Sequence, residues 1–219
     1  MLSLFNKKKV SIHSVSIPDP GWAKSKNDDS VIEWINPEHT IVISVHFFDA
    51  PPDIPTIKNI ELLRTFFRTR VSGSHGGLIE VELSGSNPHP LVRTIFKFSQ
   101  TPKGVLYLAS ITLPFKTCSF VLNVQAAEYN TIGMRETLIA KKLVSNGTLV
   151  TDQNGYVGWT CDPYDNNFKN GLLMNKSENK IYDNEFPNHA LTQVRDLIIQ
   201  LENGLEYGSE LERLQPFET

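Results

Sequence analysis

Four stretches between residues 78 and 127 have the composition of β-strands and are separated by very short connections. They read LIEVELSG, LVRTIFKFSQ, GVLYLASITLP and SFVLNVQAA, and the connections contain SNPHP, TPKG and FKTC. Parallel neighbours need a crossover of about a dozen residues or more, so connections of this length join antiparallel neighbours. This segment therefore predicts the centre of an antiparallel sheet.

Three further strands are predicted before this segment, at residues 10–17, 30–35 and 40–48. The second and third are joined by Asn36-Pro37-Glu38-His39, which favours a hairpin. The segment DAPPDIP, which follows them, cannot continue a sheet because its three prolines lack backbone N–H donors. The whole sheet is expected to contain six to seven strands.

Three segments have apolar residues at the spacing of one helix face. The first runs from about residue 56 to 71, the second from about 131 to 144, and the third ends near Gly204. The predicted stripes are Ile60, Leu63, Phe67 and Val71; Met134, Leu138, Ile139 and Leu143; and Leu191, Val194, Leu197, Ile198 and Leu201. The residues expected to be largely buried are Leu63, Phe67, Val81, Phe96, Leu108, Val124 and Leu197. Strands with helices packed on them predict an α+β fold.

The character of the chain changes after residue 144. Residues 145–187 are rich in Asn, Asp and Gly and contain only short apolar pieces. We therefore predict an α+β domain over residues 1–144 and a C-terminal loop-and-helix extension over residues 145–219, which belongs to the same domain. The last helix is expected to dock on the body, because an isolated helix of this length is marginal in water.

The bulk composition is that of an ordinary globular protein, with 40% hydrophobic and 21% charged residues among 219. The net charge of −3 argues against a nucleic-acid-binding surface, since such domains are usually basic. No run of about 18 apolar residues is present, so no membrane span is expected. The N-terminal MLSLFNKKKVSIHSV lacks the apolar core of a signal peptide. The protein is therefore expected in the cytoplasm.

The residues with reactive or metal-binding side chains form no recognisable catalytic pattern. Cys118 and Cys161 are too few for a disulfide framework, and free thiols are preferred over a single bridge. The six histidines form neither HxH nor HExxH, so no metal site is predicted. The SGSHGG loop at 72–77 follows a helix and opens a strand, the reverse of a phosphate-binding loop. No catalytic residue and no cofactor are predicted.

The segment WTCDPYD at residues 159–165 is the richest cluster of functional groups in the chain. It combines an indole, a thiol, two carboxylates and a phenol, and Pro163 is expected to present them on a turn. A catalytic Cys161 would need a histidine base, and the local sequence contains none. The preferred interpretation is an aromatic loop that covers the sheet or contacts a partner, with Trp159, Asp162 and Tyr164 as binding residues.

The segment FVLNVQAAEYNTIGMRETLIAKKL at residues 120–143 changes from strand to helix spacing in its middle. Glu128, Gly133 and Arg135 lie at this joint. Gly133 suits a sharp turn out of the sheet, and Arg135 is expected to pair with Glu128 or with a carboxylate from elsewhere. The joint is predicted to have a structural role, and Glu128 and Arg135 are kept as candidate binding residues.

The order of these elements resembles that of proteins with the PsbP-like fold. The residues that carry the resemblance are Pro18, Asp19, Gly21 and Trp22, followed by DDSVIEWINP and TIVISVHF. The group includes a photosystem subunit, a Ran-binding import factor and chaperones associated with type VI secretion effectors. GMRE at the joint and YDNEFPNHALTQVR at 182–195 resemble a class of uncharacterised bacterial proteins, and the second segment is interpreted as a docking motif.

The resemblance implies a protein that binds other proteins. We therefore expect a non-enzymatic binding module, such as a chaperone, an adaptor or an immunity-like protein linked to a secretion system. Its partner is expected to be another protein. One alternative is an enzyme or a small-ligand-binding protein that uses the loop from Trp159 to Asp165 with Glu128 or Arg135, and another is a purely structural subunit.

Overall fold

The computed structural model describes residues 9–85 and 90–217 and contains three α-helices within that part of the chain. The helices are α1 (Ile60–Gly73), α2 (Met134–Ser145) and α3 (Ala190–Asn203). The strands are β1 (Val15–Ser16), β2 (Ala23–Asn27), β3 (Val31–Ile35), β4 (Ile41–Phe48), β5 (Gly77–Ser84), β6 (Leu91–Ser99), β7 (Val105–Pro114), β8 (Ser119–Ala127), β9 (Val150–Asp152), β10 (Gly155–Val157), β11 (Thr160–Cys161), β12 (Met174–Asn175) and β13 (Glu206–Tyr207). Seven of them form one antiparallel sheet in the order β2-β3-β4-β8-β7-β6-β5. The predicted α+β fold is confirmed.

One of the seven predicted strands is wrong. Residues 10–17 do not join the large sheet, since Ile12–Ser14 form a 3-10 turn and β1 pairs only with β13. The seventh strand is instead β2, whose sequence AKSKN has no apolar alternation. All five of its residues are exposed because β2 is an edge strand that pairs only with β3. A strand with both faces in water needs no alternation.

The main core lies between the sheet and α3. Helix α3 packs on β7 and β8, at the middle of the sheet. The predicted stripe is confirmed at four positions, which are buried: Leu191, Val194, Ile198 and Leu201. They meet inward-facing residues such as Ile111, Leu122 and Val124. The last helix therefore docks on the body as expected.

Of the seven residues predicted to be largely buried, three are: Leu63, Val81 and Val124. The other four are only partly buried: Phe67, Phe96, Leu108 and Leu197.

The face of the sheet opposite α3 is covered less evenly. Helix α1 lies over β5 at one end of this face, and the rings of Phe67 and Phe96 meet there at 5.8 Å. Leu108 pairs with Phe96 one strand further from α1, so it is covered less than the prediction required.

Helix α2 packs against the C-terminal extension. Its buried apolar residues are Ile139, Ala140 and Leu143, which form a small core with Leu149 and Trp159. Met134 and Leu138, the other members of the predicted stripe, are about half exposed. The predicted stripe is therefore wrong at two of its four positions.

The C-terminal extension also closes the outer edge of β5. The Tyr164 hydroxyl accepts from the Val81 backbone N–H at 2.8 Å and donates to the Val81 carbonyl at 3.3 Å. The Leu172 N–H donates to the Gly76 carbonyl at 2.9 Å. An unpaired strand edge is a site of aggregation, and Tyr164 occupies this one at Val81, while Leu172 bonds Gly76 just before the strand. The division of the chain at residue 144 stays a prediction.

Candidate functional site

Arg135, in the first turn of α2, is among the largest fully buried side chains and is only 2% exposed. Its guanidinium donates to the carbonyl oxygens of Ser177 (2.7 Å) and Asn179 (3.1 Å). It also donates to the Thr192 hydroxyl at 3.0 Å and to the Asp183 carboxylate at 2.9 Å. A buried charge needs such a set of partners, because an unpaired one is costly to remove from water. Arg135 therefore ties α2 to the extension and to α3.

Asp183 is shared between two arginines. Besides Arg135 it accepts from Arg195 on α3, at 2.9 and 3.1 Å to its two oxygens. Arg195 also donates to the Glu178 carbonyl at 2.8 Å. These contacts hold residues 176–186 between α2 and α3. The sequence left open whether Arg135 pairs with Glu128 or with an acid from elsewhere, and its partner is Asp183.

Glu178 connects the same segment to the sheet. Its carboxylate accepts from Lys97 Nζ at 2.7 Å and from the Tyr107 hydroxyl at 2.9 Å. Lys97 lies on β6 and Tyr107 on β7. It also accepts from the Asn175 N–H at 2.7 Å, which closes a capping box. Burial, together with the charge of Glu178, raises the pKa of Tyr107 well above its ordinary value. The phenol therefore stays protonated and keeps donating.

Glu128 and His189 form a second buried pair beside this network. His189 is the N-cap of α3, where its Nδ1 accepts from the Leu191 N–H at 3.2 Å. Because Nδ1 is an acceptor, the proton lies on Nε2, which donates to Glu128 Oε1 at 3.0 Å. Glu128 also accepts from the backbone N–H groups of Val105 (3.0 Å) and Gly133 (3.4 Å).

These bonds decide the charge state of Glu128. Burial raises the pKa of the Glu128 carboxyl, but the hydrogen bond from His189 and those from the backbone outweigh it. The pKa of Glu128 is therefore held below its ordinary value of 4.5. Glu128 is therefore a carboxylate at neutral pH.

Trp159 is buried in the small core beneath α2. Its indole Nε1 donates to the Glu136 carboxylate at 3.1 Å, and its ring packs with Ile139 and Leu143. Tyr156 lies beside it, with the ring centroids 5.7 Å apart. Trp159 therefore anchors the extension to α2, with its indole turned inward.

Asp162 and Tyr164 contact the other end of the molecule, at α1 and β5. Asp162 is buried, accepts from the N–H of Tyr164 at 3.0 Å and pairs with Arg68 of α1 at 3.2 Å. The Arg64 guanidinium lies 4.0 Å from the centre of the Tyr164 ring. Both side chains therefore hold the loop on the body while the Tyr164 hydroxyl bonds Val81 of β5.

Both cysteines are free thiols. Cys118 is buried, and this burial, with Asp49 nearby, raises the pKa of its thiol to about 11. Cys161 lines a cavity of about 390 Å³ with Pro163, Met174 and other residues of the extension. None of the described residues that line this cavity is a histidine. The base that a catalytic Cys161 would need is not among them.

The five candidate binding residues thus occupy separate places. Glu128 and Arg135 lie beneath the start of α2 but have different partners. Trp159 lies beneath the middle of α2, while Asp162 and Tyr164 reach α1 and β5. Their roles in binding, like a ligand site in the loop from Trp159 to Asp165, stay predictions.

Four of the eight exposed side chains from Tyr129 to Leu138, around the start of α2, are large and apolar. They are exposed by 48 to 67% and lie within ten residues: Tyr129, Ile132, Met134 and Leu138. Met134 and Leu138 are one helical turn apart and lie on the same side of α2. We call these four residues the α2 patch.

A cavity of about 340 Å³ opens beside this patch. Its lining includes the carboxylates of Glu38 and Glu128 and the imidazole of His189. Tyr129 belongs both to the cavity wall and to the α2 patch, and Thr131 continues the wall toward the helix. The cavity and the patch are therefore neighbouring parts of one surface.

Three residues of the buried network were not singled out in the sequence: Lys97, Glu178 and Arg195. Lys97 lies two residues after the buried Ile95 on β6 and so on the same face of the strand. Arg195 lies four positions after Leu191 on the buried stripe of α3. A charged residue at a predicted core position was the available signal. Glu178 and Asp183 lie in short 3-10 turns, which have no such pattern.

Two further classes of site can be addressed within residues 9–85 and 90–217. No three His, Cys, Asp or Glu side chains there are grouped so that they could hold a metal ion. No helix in the same residues has the length and apolar character to cross a membrane.

No protein-family description matches the chain, and no curated protein matches it. Among solved structures it is similar to the Ran-binding protein Mog1p of Saccharomyces cerevisiae, with TM-score 0.46 and 7% identity over 89% of this chain and 90% of that one. It is also similar to cyanobacterial PsbP (CyanoP) of Synechocystis sp. PCC 6803, with TM-score 0.39 and 12% identity over 61% and 84%. A mutant of Mog1 gives TM-score 0.45 and 8% identity over 90% and 93%. All three TM-scores lie below 0.5, and these likenesses carry no argument about function.

Proposed function

We propose that this chain is a non-enzymatic protein-binding module of the adaptor or chaperone type and that its partner binds at the α2 patch. The observation that carries the proposal is the exposure of four large apolar side chains within ten residues. Scattered apolar residues are normal on a protein surface, whereas grouped ones mark contact with another molecule. The partner is expected to cover Ile132, Met134 and Leu138.

The buried network keeps the α2 patch on the outside. If α2 rotated to bury Met134 and Leu138, Arg135 would leave its four partners, and the acceptors of the extension would lose their donors. Leaving such buried groups unpaired costs several kcal/mol, whereas burying the exposed halves of Met134 and Leu138 would gain only about 2 to 3 kcal/mol. The outward position of the patch is therefore part of the fold.

The ionisable groups nearest the patch favour a binding role over catalysis. Asp183, Glu178 and Arg135 are each saturated with internal partners. The Glu128 carboxylate receives three hydrogen bonds. A catalytic acid or base must be free to exchange a proton with a substrate, and these groups already serve the fold.

The earlier candidate residues take supporting parts in this proposal. Arg135 holds the start of α2, Trp159 holds the middle of α2 through Glu136, and Glu128 lines the cavity beside the patch. Asp162 and Tyr164 lie at α1 and β5, and their direct contact with a partner stays a prediction.

Capture of partners from the native host, followed by mass spectrometry, tests the proposal. A Met134→Ser/Leu138→Ser variant is compared with the wild type and with a Val150→Ser/Ile181→Ser control, whose two residues lie in the extension, outside the patch, and are 63% and 69% exposed. We expect one set of proteins to bind the wild type and the control but not the patch variant. Circular dichroism verifies that all three are folded. If the patch variant captures the same proteins as the wild type, the α2 patch is not the binding surface.

A further inference from the structure

We infer that the partner inserts a lysine or arginine side chain into the cavity beside Tyr129 while its apolar side chains cover the α2 patch. This inference rests on the proposed function and adds the chemistry of the partner. It assigns one occupant to the whole surface, namely a protein segment that carries a basic residue next to apolar ones.

The charge of the cavity is the first reason. Its described lining residues include two carboxylates, Glu38 and Glu128, and no lysine or arginine. The remaining polar groups are neutral side chains such as Thr40, Asn188 and Gln193. A cavity lined by one sign of charge attracts the opposite sign and rejects an acidic partner.

The hydrogen bonds of the two carboxylates do not involve a lysine or an arginine among the described residues. Glu128 accepts from the His189 ring and from the backbone N–H groups of Val105 and Gly133. Glu38 is exposed, and one of its oxygens accepts from the Asn36 side chain. A guanidinium or ammonium group that enters the cavity would donate charge-assisted hydrogen bonds to both carboxylates.

The continuity of the surface is the second reason. Tyr129, Asn130 and Thr131 line the cavity, and Ile132 and Met134 follow them directly along the chain. A partner segment that lies along this stretch therefore meets the carboxylates first and the apolar side chains next. The cavity, at about 340 Å³, is large enough for one long side chain. Arginine is enriched among residues that dominate protein interfaces, because it combines an apolar stem with a planar guanidinium group that carries several donors.

A random-peptide library displayed on phage, selected on the full chain, supplies the probe. Peptides that bind the wild type but not Met134→Ser/Leu138→Ser are retained and synthesised with a fluorescent label. We expect these patch-dependent peptides to share a lysine or arginine at a fixed distance from their apolar residues. Fluorescence polarisation then measures Kd for the wild type, for Glu38→Lys, and for Glu212→Lys, an exposed control that changes the net charge equally.

We expect Glu38→Lys to raise Kd at least about tenfold and Glu212→Lys to leave it within about twofold. Replacing the basic residue of the peptide by norleucine should raise Kd at least about tenfold on the wild type and much less on Glu38→Lys, since coupled groups are not additive. If patch-dependent peptides lack a shared basic residue, or if Glu38→Lys leaves Kd unchanged, the inference is wrong and the proposed function stands. If no selected peptide depends on Met134 and Leu138, the proposed function itself fails.

Discussion

Helices α2 and α3 are of similar length, and both have apolar residues at helical spacing, yet they use those residues in opposite ways. Helix α3 turns its stripe, including Leu191 and Ile198, into the main core. Helix α2 exposes Met134 and Leu138 and buries the charged Arg135 in their place. The spacing of apolar residues was therefore enough to predict both helices, but not to predict which side of α2 is buried.

The difference follows from what each helix packs against. Helix α3 lies on the apolar face of β7 and β8, where it buries side chains such as Ile111 and Leu122. The start of α2 faces Ser177 and Asn179, whose backbone carbonyls need donors. A guanidinium satisfies such acceptors and a leucine cannot. Four changes test this account, beginning with the one that should have the largest effect.

Arg135→Ala should lower the free energy of unfolding by about 3 to 5 kcal/mol, because it leaves several buried acceptors without donors. Urea unfolding monitored by circular dichroism measures the loss. Lys141→Ala, at an exposed position of the same helix, is the control and should change stability by less than about 0.5 kcal/mol. A loss of under about 1 kcal/mol for Arg135→Ala would show that α2 is not held by its arginine.

Leu191→Ala should lower the free energy of unfolding by about 3 kcal/mol, since it leaves a cavity in the main core. Leu191 is fully buried where α3 meets the sheet. The same unfolding measurement applies, and the loss should appear without a change in secondary structure at low urea. If the variant is as stable as the wild type, α3 does not close the core.

Glu128→Gln should lower the free energy of unfolding by about 1 to 2 kcal/mol at neutral pH, through weaker bonds to His189 and the backbone. The pKa of Glu128 is lowered in the folded state, so its contribution is fully present above its unfolded pKa and is lost as pH falls through the folded one. Unfolding free energies of wild type and variant, measured across pH, should differ by a constant amount near neutral pH and begin to converge as pH falls below 4.5, the ordinary pKa of the carboxyl. A difference that grows in acid would contradict the assignment.

Leu138→Ser should change the free energy of unfolding by less than about 0.5 kcal/mol, although it removes a large apolar side chain. Leu138 is about half exposed on α2, in contrast with Leu191 on α3. Thermal unfolding of Leu138→Ser beside Leu191→Ser provides the direct comparison. A large loss for Leu138→Ser would mean that the patch packs within the chain and is not kept for a partner.

Much of this fold could be predicted because most elements bury one face. The four strands from β5 to β8 and the stripe of α3 repeat at the periods that burial imposes. Strand β2 could not be predicted, because AKSKN lies in water and has no apolar alternation. Lys97 and Arg195 could have been recognised from their core positions, but their partners Glu178 and Asp183 come from irregular turns, 81 residues after Lys97 and 12 residues before Arg195. Such pairs form only when the tertiary structure brings them together.

The late position of α3 along the chain matters while the protein is being synthesised. All seven strands of the sheet precede residue 128, whereas the helix that covers their apolar face ends at Asn203. At about 5 to 20 residues per second, a ribosome needs about 4 to 15 s to reach that helix. Tyr164, which occupies the edge of β5, is also made after the sheet. The nascent chain therefore presents an uncovered apolar face and an unpaired strand edge during this interval, when neighbouring ribosomes hold identical copies close by.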